Sequence, residues 1–395
     1  MGGVVIIGAG ECGVRIAFSL RERGYDGEIT LLTDEPNLPY ERPPLSKGNG
    51  SEPKLIKNAD AFVDENITLK RATTVVSVDR NSRQISLNDG SIQHYETLVF
   101  ATGARARLFA GMKECLTLRS DTDLDEISPF LKPDKTIGII GGGFIGLELA
   151  ATARNAGANV TLIEAAPRIL GRGVPEPISQ IVHAEHVKNG VKIITGMGVN
   201  ACDRTSITLT DGTQIKADVV IAGVGSVPNT ELAQSTGLDV ENGIVVDDHF
   251  RTSDPNIFAA GDCCNFTWQG VRVRLESWKA AQDQGAHVAG AIMGEQGEYT
   301  DVPWFWSDQY DLTMQVAGLF ELDAEIHHRH STENKCVLFQ CDASGVLTAA
   351  AGIGVGNEIA KDIRILEKLI QRGAIVVSSE LIDETFNLKR LLKSA

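Results

Sequence analysis

The chain has 395 residues, 43% hydrophobic and 23% charged, with 40 glycines and a formal net charge of −15. That length gives room for two or three domains with substantial cores, and the balance is that of a globular α/β chain, not a disordered one. So acidic a chain argues against nucleic acid as a partner, and no apolar run approaches the roughly eighteen residues of a membrane span.

Val4 to Ile7 predicts a short buried strand, followed by the turn Gly8-Ala9-Gly10-Glu11-Cys12-Gly13 and a helix-like segment. Because this strand begins at Val4, no signal peptide is expected and the protein is expected in the cytosol. In such a unit the three glycines allow a tight turn, close backbone approach to a pyrophosphate, and packing of the helix on the strand. The helix N-terminus then faces the phosphate charge. The run Glu28 to Thr33 leads into Asp34 and Glu35, either of which can accept hydrogen bonds from an adenosine ribose. A loop over Glu35 to Lys57 interrupts the unit, and a strand over Glu96 to Ala101 closes it.

The same pattern recurs. A strand over Ile137 to Ile140 meets the turn Gly141-Gly142-Gly143-Phe144-Ile145-Gly146, then a helix over Leu147 to Ala156 and a strand over Asn159 to Ile163 that ends at Glu164. A carboxylate there accepts ribose hydroxyls and repels a 2′-phosphate, which favours NADH over NADPH, although Arg168 and Arg172 lie close in sequence and pull the other way. One such glycine turn carries little weight, since helix–strand packing alone selects glycine; two complete units predict two bound dinucleotides. Val219 to Ala222 reads as a further strand of the second unit.

Asn242 to Asp262 and a helix over Ala280 to Ile292 predict a return to the first domain, which makes it discontinuous. The last stretch carries strands over Leu312 to Ala317 and Lys335 to Phe339, a glycine-rich run from Ala350 to Gly356, and a helical segment from Asn357 to Arg372. Ile359, Ile363, Leu366 and Leu369 sit at helix spacing and predict a face packed on its own sheet, with an oligomer contact as the alternative. The fold class expected is α/β, with two Rossmann-like dinucleotide-binding domains and a C-terminal α+β domain. The boundaries expected are 1–103 and 229–303 for the first domain, 104–228 for the second and 304–395 for the third; monomer and homodimer both remain open.

The seven cysteines, Cys12, Cys115, Cys202, Cys263, Cys264, Cys336 and Cys341, show neither zinc-like pairs nor a secreted disulfide framework. Reduced thiols are expected, and no metal site.

The segment Leu38-Pro39-Tyr40-Glu41-Arg42-Pro43-Pro44-Leu45-Ser46-Lys47 resembles a signature of the flavin-dependent NADH:ferredoxin reductases of bacterial ring-hydroxylating dioxygenases and some cytochromes P450. The likeness continues through Ala101-Thr102-Gly103, Gly141 to Ala150, Asn256 to Asp262, Glu276-Ser277-Trp278 and Pro303 to Gln309, covering essentially the whole chain in order. It implies FAD in the first domain, with Gly8, Gly10 and Gly13 at the pyrophosphate and Asp34 or Glu35 at the ribose. Arg42 and Lys47 would lie beside phosphate and isoalloxazine, and Asp262 would meet the ribitol chain. Val76, Ala101, Thr102, Gly103, Glu276, Ser277 and Trp278 would complete that site. In the second domain it implies NAD on Gly141, Gly143 and Gly146, with Glu164 at the ribose, Arg172 among the cofactor-binding residues, Glu148 near the nicotinamide amide and Gly225 allowing backbone approach. Lys47, Glu148 and Trp306 are the residues it brings nearest to the chemistry.

Many two-dinucleotide flavoproteins pass electrons to a C-x-x-x-x-C pair early in the first domain. Arg42 to Lys47 occupies that place here, so the electrons are expected to leave singly to a [2Fe–2S] or Rieske-type ferredoxin and, indirectly, a terminal oxygenase. Arg105, Arg107, Lys361, Arg364 and Lys368 are candidates for docking it. The alternatives are another acceptor on the same fold, such as rubredoxin, a quinone, monodehydroascorbate or a nitrite reductase partner, or an NADH-gated interaction module like the apoptosis-inducing flavoproteins.

Overall fold

A computed structural model describes residues 3–48, 52–112, 114–171, 173–321, 324–332 and 335–394. The chain forms two compact units, one from Met1–Arg42, Pro53–Arg105 and Ser226–Asp301, the other from Pro43–Glu52, Ala106–Gly225 and Val302–Ala395.

The first unit is built on a five-stranded parallel sheet in the order Ile257–Ala259, Thr97–Phe100, Val4–Ile7, Ile29–Leu32, Ile67–Lys70. Its central strands are apolar at all positions but Thr30 and buried throughout, the pattern of a parallel sheet covered on both faces. The helix Glu11–Glu22 packs closely against the helix Trp278–Ile292, so the late segment does return to the first sheet.

The second unit repeats this arrangement with four parallel strands in the order Lys192–Thr195, Asn159–Glu164, Thr136–Ile140, Val219–Ala222. Each parallel sheet is accompanied by a three-stranded antiparallel sheet not anticipated from the sequence, over Val75–Asp79, Gln84–Leu87 and Ile92–His94 in one unit and Val199–Cys202, Ser206–Leu209 and Gln214–Lys216 in the other. Their turns are made alike. Asp79 accepts the Asn81 amide at 2.9 Å and Asp89 that of Ser91 at 2.8 Å, while Asp203 accepts the Thr205 amide at 2.7 Å and Asp211 that of Thr213 at 2.8 Å. These strands run only three to five residues, too short for a periodic signal to stand out, even though the middle strand of each buries two apolar residues, Ile85 and Leu87 in one and Ile207 and Leu209 in the other.

The second unit also holds a five-stranded antiparallel sheet in the order Trp304–Gln309, Leu312–Gly318, Leu347–Val355, Cys336–Cys341, Ile326–Ser331. The glycine-rich run predicted as a separate stretch, all but its last residue Gly356, lies inside its central strand, Leu347–Val355. A Cβ on Gly352 would meet Ile363 Cδ1 at 3.1 Å and Ile359 Cβ at 3.2 Å, so the small residues let the helix Ala360–Gln371 rest close on the sheet. Ile359, Ile363, Leu366 and Leu369 are fully buried there, which makes the packed-face reading of this helix the correct one.

The expectation of reduced thiols needs one correction. Cys115 and Cys202, separated by 87 residues, are joined as a disulfide with Cα atoms 6.8 Å apart, because the strand Val199–Cys202 folds back beside Cys115 in an apolar cluster. Cys12, Cys263, Cys264, Cys336 and Cys341 are free. Among the described residues no helix is long and apolar enough to cross a membrane.

Candidate active site

In the first unit Gly8 has φ +108°, and a Cβ there would lie under 3.0 Å from the Ala101 carbonyl. Gly13 is pressed equally hard on the Gly8 carbonyl. Gly10, by contrast, faces open space and caps the helix Glu11–Glu22 with no side chain on its amides. The second unit reproduces each feature. Gly141 has φ +106° and abuts the Gly223 carbonyl, Gly146 abuts the Gly141 carbonyl, and Gly143 faces open space above the uncapped start of the helix Phe144–Asn155. Two backbone cradles thus stand open at helix N-termini, the arrangement that fits a pyrophosphate.

At the acidic positions the two cradles differ. Glu164 Oε2 accepts the Gly142 amide at 2.7 Å and Oε1 the Ala166 amide at 2.7 Å, so this carboxylate is fixed against its own glycine turn. Asp34 is exposed, whereas Glu35 is half-buried and accepts the Tyr40 hydroxyl at 2.6 Å and Arg42 Nη2 at 2.5 Å. Burial works against the Arg42 charge, and Glu35, with smaller help from Tyr40 and Asp262, more than offsets it, so the guanidinium is held the more firmly protonated.

Ala101, Thr102 and Gly103 follow the strand Thr97–Phe100, where the Thr102 hydroxyl donates to the Asn229 carbonyl at 2.7 Å. Asp262 lies in a short turn over Gly261–Cys263, and its carbonyl accepts Arg274 Nη1 at 3.3 Å. Glu276 accepts from both Ser226 and Arg274, and Ser277 caps the helix Trp278–Ile292 through the Ala280 amide at 3.2 Å. Val76 is 61% exposed on the strand Val75–Asp79. Gly225 has φ +106°, and its carbonyl accepts the Arg107 amide at 2.9 Å. Arg105, offered as a docking cation, is paired with Glu231 at 2.6 Å. Arg172 lies outside the described residues.

In the second unit Lys47, Glu148 and Trp306 come together. Phe144, Glu148 and Thr152 share one face of their helix at four-residue spacing. Phe144 meets Phe305 edge-on with ring centroids 5.0 Å apart, and the Thr152 hydroxyl donates to the Ser46 carbonyl at 2.8 Å. This holds Glu148 buried between the segment carrying Ser46 and Lys47 and the strand Trp304–Gln309. Its carboxylate accepts from the Ser46 hydroxyl and, at 2.6 Å, from the Ser307 hydroxyl. Lys47 Nζ stands 3.7 Å from Glu148 and 2.8 Å from Asp308, and 5.2 Å from the centre of the Trp306 ring. The Trp306 indole donates to the same Asp308 oxygen at 3.1 Å. Burial pushes the Glu148 carboxyl above the ordinary glutamate range, and Lys47 and the two hydroxyls pull it back.

Ser46, Ser307, Asp308 and Gln309 were in view in the sequence, as neighbours of Lys47 and Trp306 in the two aromatic and proline-rich segments, but only folding shows their contacts. His186 had no signal at all. Glu11, inside the first glycine turn, is a further unlooked-for acid: burial raises its carboxyl and a hydrogen bond from Gln282 opposes that rise.

Two nucleotide cradles of one build, each on its own parallel sheet, define a pyridine-nucleotide-dependent oxidoreductase. Residues 2–285 match the family model described as pyridine nucleotide-disulphide oxidoreductase, and residues 304–392 match the one described as reductase C-terminal. The chain therefore belongs to the pyridine nucleotide-disulphide oxidoreductase family, whose members use FAD and NAD(H). It is 36% identical to the anthranilate 1,2-dioxygenase system ferredoxin–NAD(+) reductase component of Burkholderia cepacia, over 98% of each chain. It is 41% identical to rhodocoxin reductase of Rhodococcus erythropolis, over 80% of this chain and 78% of that one. Its structure is similar to that of putidaredoxin reductase in a covalent complex with putidaredoxin, with a TM-score of 0.94 and 35% identity over 100% of this chain and 99% of the other.

Proposed function

We propose that this chain is an NADH:ferredoxin oxidoreductase that supplies a ring-hydroxylating oxygenase or a cytochrome P450. The reading is carried by the doubled cradle, which provides for a hydride donor and a flavin at once, taken with full-length likeness to a ferredoxin–NAD(+) reductase component. Bound FAD supplies the conversion of a hydride from NADH into single electrons for a [2Fe–2S] ferredoxin. Residues 1–103 and 229–303 are assigned to FAD, 104–228 to NAD, and 304–395 to the C-terminal domain. We place the protein in the cytoplasm, where NADH is regenerated.

In the FAD-binding part, Gly8, Gly10 and Gly13 offer backbone amides to a pyrophosphate, Glu35 with Arg42 frames the ribose end, and Asp262 and the start of the helix Trp278–Ile292 serve the remainder. In the NAD-binding part, Gly141, Gly143 and Gly146 hold the pyrophosphate, and Glu164 the ribose. Lys47, Glu148 and Trp306 serve hydride transfer: the ammonium offers positive charge where negative charge develops, and the buried carboxylate and the indole hold that ammonium in place. None of these side chains needs to act as a nucleophile.

Purified protein is expected to carry visible flavin absorbance, to oxidise NADH, and to reduce cytochrome c rapidly only when a [2Fe–2S] ferredoxin is added. Colourless protein, or cytochrome c reduction indifferent to any ferredoxin, overturns the assignment. Glu164→Ala removes a ribose acceptor and frees the Gly142 amide; it is expected to lower kcat/KM for NADH about tenfold, about 1.4 kcal/mol, while NADPH gains. Steady-state kinetics with both coenzymes check this, and an unchanged NADH/NADPH ratio removes Glu164 from the site.

A further inference from the structure

Beyond its partners Lys47 and Ser46, the Glu148 carboxylate is the end of a buried line of hydrogen bonds. The Ser307 hydroxyl has one proton, given to Glu148 at 2.6 Å, so its oxygen accepts from Gln309 Nε2 at 3.0 Å. The other end of that amide, Oε1, lies 2.8 Å from His186 Nε2. An amide oxygen only accepts, so the imidazole proton sits on Nε2 and the Nδ1 lone pair faces the Tyr310 hydroxyl, 3.4 Å away. Ser307, Gln309 and His186 are all buried. Every donor in this line therefore points toward Glu148, and aligned hydrogen bonds polarise one another in a medium of low dielectric.

We propose that His186, Gln309 and Tyr310 are positioning residues: they orient the Ser307 hydroxyl onto Glu148, keep that carboxylate ionised and aimed at Lys47, and so set the pH window of hydride transfer. The last clause rests on the function proposed above; the rest does not. The line is not a proton wire. Gln309 accepts on oxygen and donates from nitrogen, and passing a proton through it would need the imidic form of the amide. The register explains the construction, because along the strand Trp304–Gln309 Trp304, Trp306 and Asp308 share one face and Ser307 and Gln309 the other. One strand thus delivers the indole that meets Lys47, the hydroxyl that meets Glu148 and the amide behind that hydroxyl.

The charged and titratable groups around the line are few. Lys47 and Asp308 act on Glu148 with opposite signs; Glu185 and His183 act on His186, whose burial pulls it below the usual histidine range and keeps it neutral. Arg154 and Glu185 act on Tyr310, held protonated by burial.

Three measurements on the full-length, FAD-loaded chain test this. Long-range 1H–15N spectra of histidine-labelled protein, with His186 assigned by its loss in His186→Phe, should show the Nε2–H tautomer unchanged between about pH 5 and 8. Infrared titration of the carboxyl band that Glu148→Gln removes should give a higher midpoint in Gln309→Met, and a smaller rise in Tyr310→Phe, which keeps the ring and its packing. The pH profile of flavin reduction by NADH should move with that midpoint while KM for NADH stays within about twofold. A proton on Nδ1, or a Glu148 midpoint unmoved in both folded variants, overturns the proposal. If the tautomer and the midpoint behave as stated but NADH reduces nothing, only the functional reading fails.

Discussion

Gly146→Ala is expected to give a yellow protein that no longer oxidises NADH, whereas Gly13→Ala is expected to give a colourless one. In both turns the third glycine lies against the carbonyl of the first, Gly8 or Gly141, closer than any real Cβ approaches an oxygen. The first glycine cannot yield. Gly8 and Gly141 are themselves wedged against the carbonyls of Ala101 and Gly223 in left-handed backbone that favours glycine. A methyl group at Gly13 or Gly146 must therefore open the turn and turn its amides away from the pyrophosphate. The cost is about 3 kcal/mol or more, from overpacking against backbone rather than against a side chain that could rotate. For Gly146→Ala this should appear as a fall of at least about 100-fold in kcat/KM for NADH, equivalent to about 2.7 kcal/mol. Because each cradle belongs to its own unit, flavin absorbance and NADH kinetics separate the two effects. A Gly146→Ala protein within about threefold of the parent would remove the second cradle from coenzyme binding.

Replacing Lys47 by methionine should act on catalysis and on stability together. In the role proposed for Lys47, loss of the ammonium removes positive charge from the reduced flavin, with an expected drop of about 100-fold or more in flavin reduction by NADH. It also leaves Glu148 buried without its cation, since the two remaining close partners are neutral hydroxyls and Asp308 is of like charge. Burial already raises the Glu148 carboxyl above its ordinary value of 4.5, and Lys47 is the largest influence opposing that rise. With the folded-state value above the unfolded one, the folded chain binds the proton more tightly. Stability from this group is fully present below the unfolded value and is lost as pH rises through the folded one. Lys47→Met lifts the folded value further, so the loss should extend toward neutral pH and reach about 3 kcal/mol on the alkaline side. Thermal unfolding should show Lys47→Met matching the parent near pH 4 but melting roughly 5 °C lower near pH 8. The double variant Lys47→Met, Glu148→Gln should lose that pH dependence, because a neutral amide has no charge to desolvate. A single variant with the same deficit at both pH values would show that packing, not charge, is what Lys47 provides.

The parts of this protein legible in sequence are those whose physics is local. A strand of four apolar residues, a turn that only glycine can make, and an acid at the next strand end lie within about thirty residues of one another, and both copies fold where that pattern puts them. The helix Ala360–Gln371 was legible for the same reason, its apolar stripe being set by a spacing of three and four. The Tyr40 to Lys47 segment was legible only as a likeness, and the likeness did not show that Glu148 and Trp306 both meet Lys47. The choice between Asp34 and Glu35 also had to wait, because the two are adjacent and only the fold shows one exposed and the other tied to Tyr40 and Arg42.

The amino-acid order alone thus determined two glycine cradles, the acid Glu164 that ends the second, and the α/β class, since each follows from dihedral freedom and short-range periodicity. Tertiary structure alone decided that Cys115 meets Cys202, that Glu148 is buried beside a lysine, and that His186 reaches it through Gln309 and Ser307, residues 123 and 159 positions from their partners. Those meetings depend on which strand lies beside which helix, and a side chain's charge state depends on the solvent it loses there, which no stretch of sequence contains.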